Sequence, residues 1–161
     1  MASYAKFDVW QTSAGVTQAT VIGYNYYRLL ASSDTYVTIS GDTDYDTTIS
    51  VTYTPKYSNS ILYVEGVAQT RAQNAYGMSM GIKRDGVKQL PNYNVGGNDF
   101  FYKGASLNHH INMRSTIAVT ANSTSSTTFT VWLRPYSGGG GSGEWAQGWG
   151  QHFISVMEIA Q

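Results

Sequence analysis

Cysteine is absent from the 161 residues, which excludes disulfides, thiolate nucleophiles and cysteine metal sites. Charge is scarce as well. Lys, Arg, Asp and Glu make up 12% of the chain, and ten basic residues cancel ten acidic ones. A neutral chain lacks the basic surplus of a general nucleic-acid binder and the polybasic run that docks on an anionic membrane. Low charge with no net charge is also poor for the solubility of a free monomer, so partners are expected to cover part of the surface. Runs such as Tyr26 to Ala31, itself interrupted by Arg28, fall far short of the roughly 20 apolar residues of a membrane-spanning helix. Met1 to Trp10 carries Asp8 and lacks the apolar stretch of a secretory signal, so synthesis in the host cytoplasm is expected. No segment carries a sustained 3.6-residue apolar stripe; Tyr24 to Ala31 alone suggests a helical turn.

What the chain has in quantity is strand and turn chemistry. Thirteen Tyr, five Phe and four Trp stand beside 17 Ser, 17 Thr and 17 Gly. Thr, Tyr, Val and Ile suit a pleated, half-buried surface; Gly, Asn, Asp and Ser supply turns. The aromatic content argues against disorder. The length suits one domain with one core.

Alternation is clear from Val37 onward. Ile49, Val51 and Tyr53 share one face and Thr48, Ser50 and Thr52 the other, which is the period of a strand with one wet side. Pro55 closes that strand, since proline donates nothing to a ladder. Ile61 to Ala68 is apolar on both faces except at Glu65 and reads as a central strand. Met78, Met80 and Ile82 alternate with Ser79, Gly81 and Lys83. Asp85-Gly86 then marks a two-residue hairpin, because both positions of that turn favour positive φ. Pro91 to Lys103 reads as a loop and Leu107 to Ala121 as a strand. Thr127 to Arg134 sends Phe129, Val131 and Leu133 inward and Trp132 outward. Ser137 to Gly150 reads as a loop and Phe153 to Ile159 as a last strand. About eight to ten strands with regular turns mean an all-β antiparallel sandwich of jelly-roll type. Residues 1–15 are expected to form an extended N-terminal arm and residues 16–161 the jelly-roll domain.

Candidate sites are few. His109 and His110 point to opposite faces of a strand and cannot chelate one metal; His109 is expected to be a core histidine. Asp42, Asp44 and Asp46 form a run of the kind calcium favours, but Thr47 and Tyr53 stand where an EF-hand needs glycine and glutamate, so a surface turn is expected. Glu65 and Glu158 lie in apolar strands, where a carboxylate meets an arginine or a backbone amide; Arg71 and Arg114 are the candidate arginines. Gly138 to Gly143 lacks the Lys-Ser or Lys-Thr of a phosphate loop and reads as flexible. No catalytic set emerges, so no enzyme, cofactor or metal is expected. Tyr4, Phe7 and Trp10 on the arm are candidate docking groups. Tyr93, Phe100, Phe101, Trp145 and Trp149 sit in apparent loops, where each aromatic stacks on a sugar, fills an end of the sandwich or anchors a protein chain.

The stretch Thr47 to Tyr63, the hairpin Ile82-Lys83-Arg84-Asp85-Gly86 and the ending Ile154 to Ala160 resemble bacteriophage virion jelly-roll proteins, which serve as capsid decorations or as fibre heads. The resemblance implies a trimer of the tumour-necrosis-factor shape without catalytic residues. With only a short arm ahead of the jelly roll, the decoration (cement) role is expected first. The major capsid protein of the same virion would be the partner and the capsid surface the location. A receptor-binding head reading host surface glycans through the tryptophan and Tyr93–Phe101 loops is the alternative.

Overall fold

A computed structural model describes residues 21–30, 36–41, 43–72, 77–89, 99–102, 109–136, 142–148 and 150–160, with the backbone alone at 30, 99–102 and 109. Eleven strands follow one another among these residues: β1 (Val21–Leu30), β2 (Tyr36–Ser40), β3 (Tyr45–Tyr53), β4 (Ile61–Ala72), β5 (Gly77–Arg84), β6 (Val87–Lys88), β7 (Asp99–Tyr102), β8 (His109–Thr120), β9 (Thr127–Tyr136), β10 (Ser142–Ala146) and β11 (Gln151–Ile159). The fold is all-β, two antiparallel sheets packed as a sandwich in the manner of a jelly roll.

Eleven segments fill eight rows because three rows are each made of two segments. One edge of β4 pairs with β8 along its whole length; the other pairs first with β11 and then with β10. Beyond them β1 pairs with β11 and β2 with β10. The first sheet therefore reads β8, β4, β10 with β11, β1 with β2. In the second sheet β3 pairs with β9, β9 with β5, and β5 with both β6 and β7.

The alternation behind this arrangement is that of the sequence. Thr47, Ile49, Val51 and Tyr53 of β3 are buried and Asp46, Thr48 and Thr52 exposed. Leu62 and Val64 meet Ile154 and Val156 from the first sheet and Met80, Ile82, Phe129, Val131 and Leu133 from the second in one core. At the hairpin Asp85 and Gly86 have φ of 49° and 80°, the doubly positive pair of a tight hairpin turn.

Four expectations are corrected. Tyr24 to Leu30 is strand, not a helical turn: Tyr27 and Leu29 pack inward at period two, while Tyr24 and Tyr26 stand outward, and aromatics on both faces hide the alternation. Asp99–Tyr102 is a strand inside the expected Pro91–Lys103 loop, drawn in by pairing with Gly77–Met80. Ser142–Ala146 is a strand inside the expected Ser137–Gly150 loop. Gly143 is there for space, not flexibility, because a Cβ would stand 2.1 Å from Met78 Sδ. Trp132 does lie on the outward side of its strand, yet it is wholly buried. Its indole lies over Gly81, whose Cβ would meet Nε1 at 2.7 Å, and Lys88 Nζ stands 4.1 Å from the ring centre. The arm, residues 1–15, falls outside the described residues.

Candidate interaction face

The outer face of the first sheet is built by register. Val21, Ile159, Ile61 and Thr120 lie side by side across β1, β11, β4 and β8. The next row is Tyr24, Met157, Tyr63 and Ala118; then come Tyr26, Ser155, Glu65 and Thr116, and then Arg28, Phe153, Val67 and Arg114. A sheet with one wet side ordinarily carries polar groups there, as β3 does. Here the wet side is largely apolar and aromatic. Tyr24 is 57% exposed, Tyr26 63% and Tyr63 37%. The Tyr24 and Tyr26 rings stack with centres 6.0 Å apart, so they support each other while exposed. In the middle of the face Arg114 Nε forms an ion pair with Glu65 Oε1 at 2.9 Å.

Toward the other end the face turns polar. Arg71 pairs with the nearly buried Glu144 and stacks 4.3 Å above the Tyr36 ring. The exposed His110 meets that ring edge-on. Both arginines singled out in the sequence thus partner carboxylates.

Glu158 ties the last described strand, β11, to β3 and to the β3–β4 loop. It is wholly buried and accepts from Tyr53 Oη at 2.7 Å, Ser60 Oγ at 2.5 Å, and the Lys56 and Tyr57 amides at 2.9 and 3.1 Å. Burial pushes its carboxyl upward, but the donors from Ser60, Lys56, Tyr53 and Tyr57 outweigh it and hold the group below the usual range. Burial first, and then the bond to Glu158 and its charge, push the Tyr53 phenol far up. The arrangement is a structural anchor: an ionised carboxylate held by two hydroxyls and two backbone amides.

The other sequence candidates fall as follows. Trp145 is not a loop residue: it lies in β10, wholly buried within the core, its Nε1 3.4 Å from His152 Nδ1. Of the three readings it takes the filling of the sandwich. Asp44 pairs with Lys88 at 2.6 Å and Arg134 at 3.7 Å, and Asp46 pairs with Lys83, so these two carboxylates are held by cations. His109 belongs to β8, and Phe100 and Phe101 to β7; their side chains lie outside the described residues, as do Tyr4, Phe7, Trp10, Asp42, Tyr93 and Trp149 altogether. Sequence reasoning missed the tyrosine face. Its signal was present in Tyr24, Tyr26 and Tyr63, but only the register of β1 on β11 and β4 brings them together.

No protein-family model matches the chain, and no curated protein matches it. Among known structures, a chain in the "Structure of infectious bursal disease virus Gt strain" is similar at a TM-score of 0.47 and 13% identity. The match covers 99% of this chain but spans 43% of that one, and a likeness this distant carries no argument about function.

Proposed function

We propose that this chain is a virion structural protein: a bacteriophage capsid decoration (cement) protein that works as a homotrimer. The observation that carries the reading is the apolar outer face of the first sheet. Exposed, mutually stacked tyrosines beside Met157, Phe153 and Val67 are the residue types that dominate protein interfaces. The apolar part of the face runs over Ile61–Val67 of β4, a length of about 23 Å, and four strands give it a width of about 19 Å. The resulting ~440 Å² is the size of an exposed apolar patch that commonly marks an interaction site.

In this reading copies meet through that face, and each brings its arm, with Tyr4, Phe7 and Trp10, to the major capsid protein. Modest contacts made three at a time add through effective concentration, so the assembly holds far better than one contact would. The resemblance of Thr47–Tyr63, Ile82–Gly86 and Ile154–Ala160 to phage virion jelly-roll proteins supports the same reading. The glycan-reading alternative loses Trp145, which is buried.

The test is immunogold labelling of the parent virus. Label over the head is expected, together with loss of capsid binding when residues 1–10 are removed. Label confined to the tail tip would overturn the decoration role in favour of the receptor-binding head.

A further inference from the structure

The outer face of the first sheet is uneven in two directions. Along the strands it runs from apolar to polar. On β4 the outward residues are Ile61, Tyr63, Glu65 and Val67, and then Gln69 and Arg71; on β8 Ala118 lies at the apolar end, Asn112 and His110 at the other. Across the strands the face runs from tall to low. The β1 edge carries the exposed, stacked rings of Tyr24 and Tyr26. At the β8 edge the same two rows end in Ala118 and Thr116, both small and both exposed. Three strand spacings, about 14 Å, separate the two edges.

Both gradients restrict how a second copy can lie on the face. A rotation about an axis across the strands lays β1 on β1, ring against ring. It also reverses the order of the rows, so that apolar rows approach polar ones. A rotation about an axis along the strands keeps every row at its own level and exchanges the two edges. Apolar rows then meet apolar rows, polar rows meet polar rows, and the tall edge of one copy covers the low edge of the other. The relation is the same for a pair and for a ring of three, because both are generated by turning about one axis. The apolar rows alone, at ~440 Å², reach about half of the ~800 Å² per partner of a standard interface. The polar rows therefore belong to the contact as its rim, and they can do so only where rows keep their level.

We infer that the occupant of this face is a second copy of the chain, with Tyr24 and Tyr26 of one copy seated over Ala118 and Thr116 of the other. The inference rests on the proposed self-association and adds to it which residues meet. Exposed rings and small side chains are complementary in height, so the rings lose their wet sides without colliding. One juxtaposition is unfavourable. Arg28 is exposed and has no ion pair among the described residues. It stands in the row that ends in Arg114, so the two arginines face each other between copies, and Glu65 offsets only one of them.

The experiment uses the full chain, which has no cysteine of its own, at a concentration where sedimentation velocity finds it assembled. Tyr24→Cys, Ala118→Cys and the double variant are treated with a bis-maleimide that spans the roughly 10 Å between packed sheets and are run on a denaturing gel. The two positions within one copy, about 14 Å apart, are beyond its reach. The double variant is expected to link copies, and neither single variant to do so. Arg28→Glu, which turns the facing like charges into an ion pair, is expected to tighten association about fivefold. Linking by Tyr24→Cys alone, no linking by the double variant, or association of Arg28→Glu that is unchanged or weaker overturns the pairing and leaves self-association standing. An unaltered chain that stays monomeric at every concentration reached removes the homotrimer and this inference with it.

Discussion

His152 Nδ1 lies 3.2 Å from the Gln69 amide and accepts its hydrogen. Gln69 stands opposite the break between β10, which pairs with β4 as far as Thr70, and β11, which takes over at Val67. A buried ring thus supplies the acceptor that the interrupted strand does not. The same Nδ1 faces Trp145 Nε1, so two N–H groups converge on it and the ring proton belongs on Nε2.

Replacing that acceptor should be costly. His152→Ala is expected to lose about 2–4 kcal/mol, from an orphaned amide and a cavity beside Trp145. His152→Asn, which can place an oxygen near the position of Nδ1, should retain more stability than His152→Ala. Urea denaturation followed by Trp fluorescence measures both; equal losses would show that the acceptor is irrelevant.

Acid should act through Glu158. Its folded-state carboxyl sits below its ordinary value of 4.5, so the unfolded chain binds the proton first. The stabilisation is fully present above that value and is lost as pH falls through the folded-state value beneath it. Asp85 adds a drop of the same sign, since the bonds from Thr127 and Thr128, aided by Arg84 and opposed by burial, lower it from 3.8. Glu158→Gln should destabilise at pH 7 by about 2–4 kcal/mol, because one amide cannot satisfy four donors, and should flatten the fall in melting temperature between pH 5 and roughly pH 3. An unchanged acid slope would count against the anchor.

Gly81→Ala should disturb a residue on the opposite strand. Its Cβ would meet the Trp132 indole at 2.7–2.8 Å, forcing a rigid, buried ring to move, at a cost of about 1–3 kcal/mol. The near-ultraviolet circular dichroism of the tryptophans should change with it. Gly86→Ala is the useful contrast: it has open space around it but a positive φ, so it should cost less than 1.5 kcal/mol or so and leave the tryptophan signal alone.

The tyrosine face should govern assembly. Tyr24→Ser with Tyr26→Ser removes two exposed, stacked rings without touching the core, so the monomer fold should persist by far-ultraviolet circular dichroism. Sedimentation velocity should show the proposed trimer dissociating at concentrations at least tenfold higher than for the unaltered chain. A double variant that associates as before would move the contact elsewhere.

What the sequence makes legible here is local. The alternation Ile49-Val51-Tyr53 and the Asp85-Gly86 turn predict β3 and the β5–β6 hairpin because each is decided by neighbours a few residues apart. Arg114 as a carboxylate partner follows from the cost of leaving Glu65 alone on a sheet; Arg71 also meets a carboxylate, but it is Glu144, from a segment that reads as a loop. β1 escapes because Tyr24, Tyr26 and Tyr27 put aromatics on both faces and erase the period. β10 escapes because its strand character comes from pairing on two edges and from the tight fit of Gly143 on Met78, neither visible in a glycine-rich string. Trp145 looks like a loop anchor until β2 and β4 flank it, and the roles of His152 and Glu158 depend on contacts more than eighty residues apart in sequence.

The breaks in the two neighbouring rows fall at the same level: Leu30 pairs with Gln151 and Tyr36 with Ala146. In an unbroken strand, one inserted residue would turn every later side chain to the wrong face. Here the ladder on either side of the break is set by its own pairs, so a residue gained or lost between positions 31 and 35 leaves the inward parity of β1 and of β2 intact. Only the two rows made of β10 with β11 and of β1 with β2 have this freedom; β4 and β8 run unbroken past the breaks and carry one register from the tyrosine face to the Arg71–Glu144 pair.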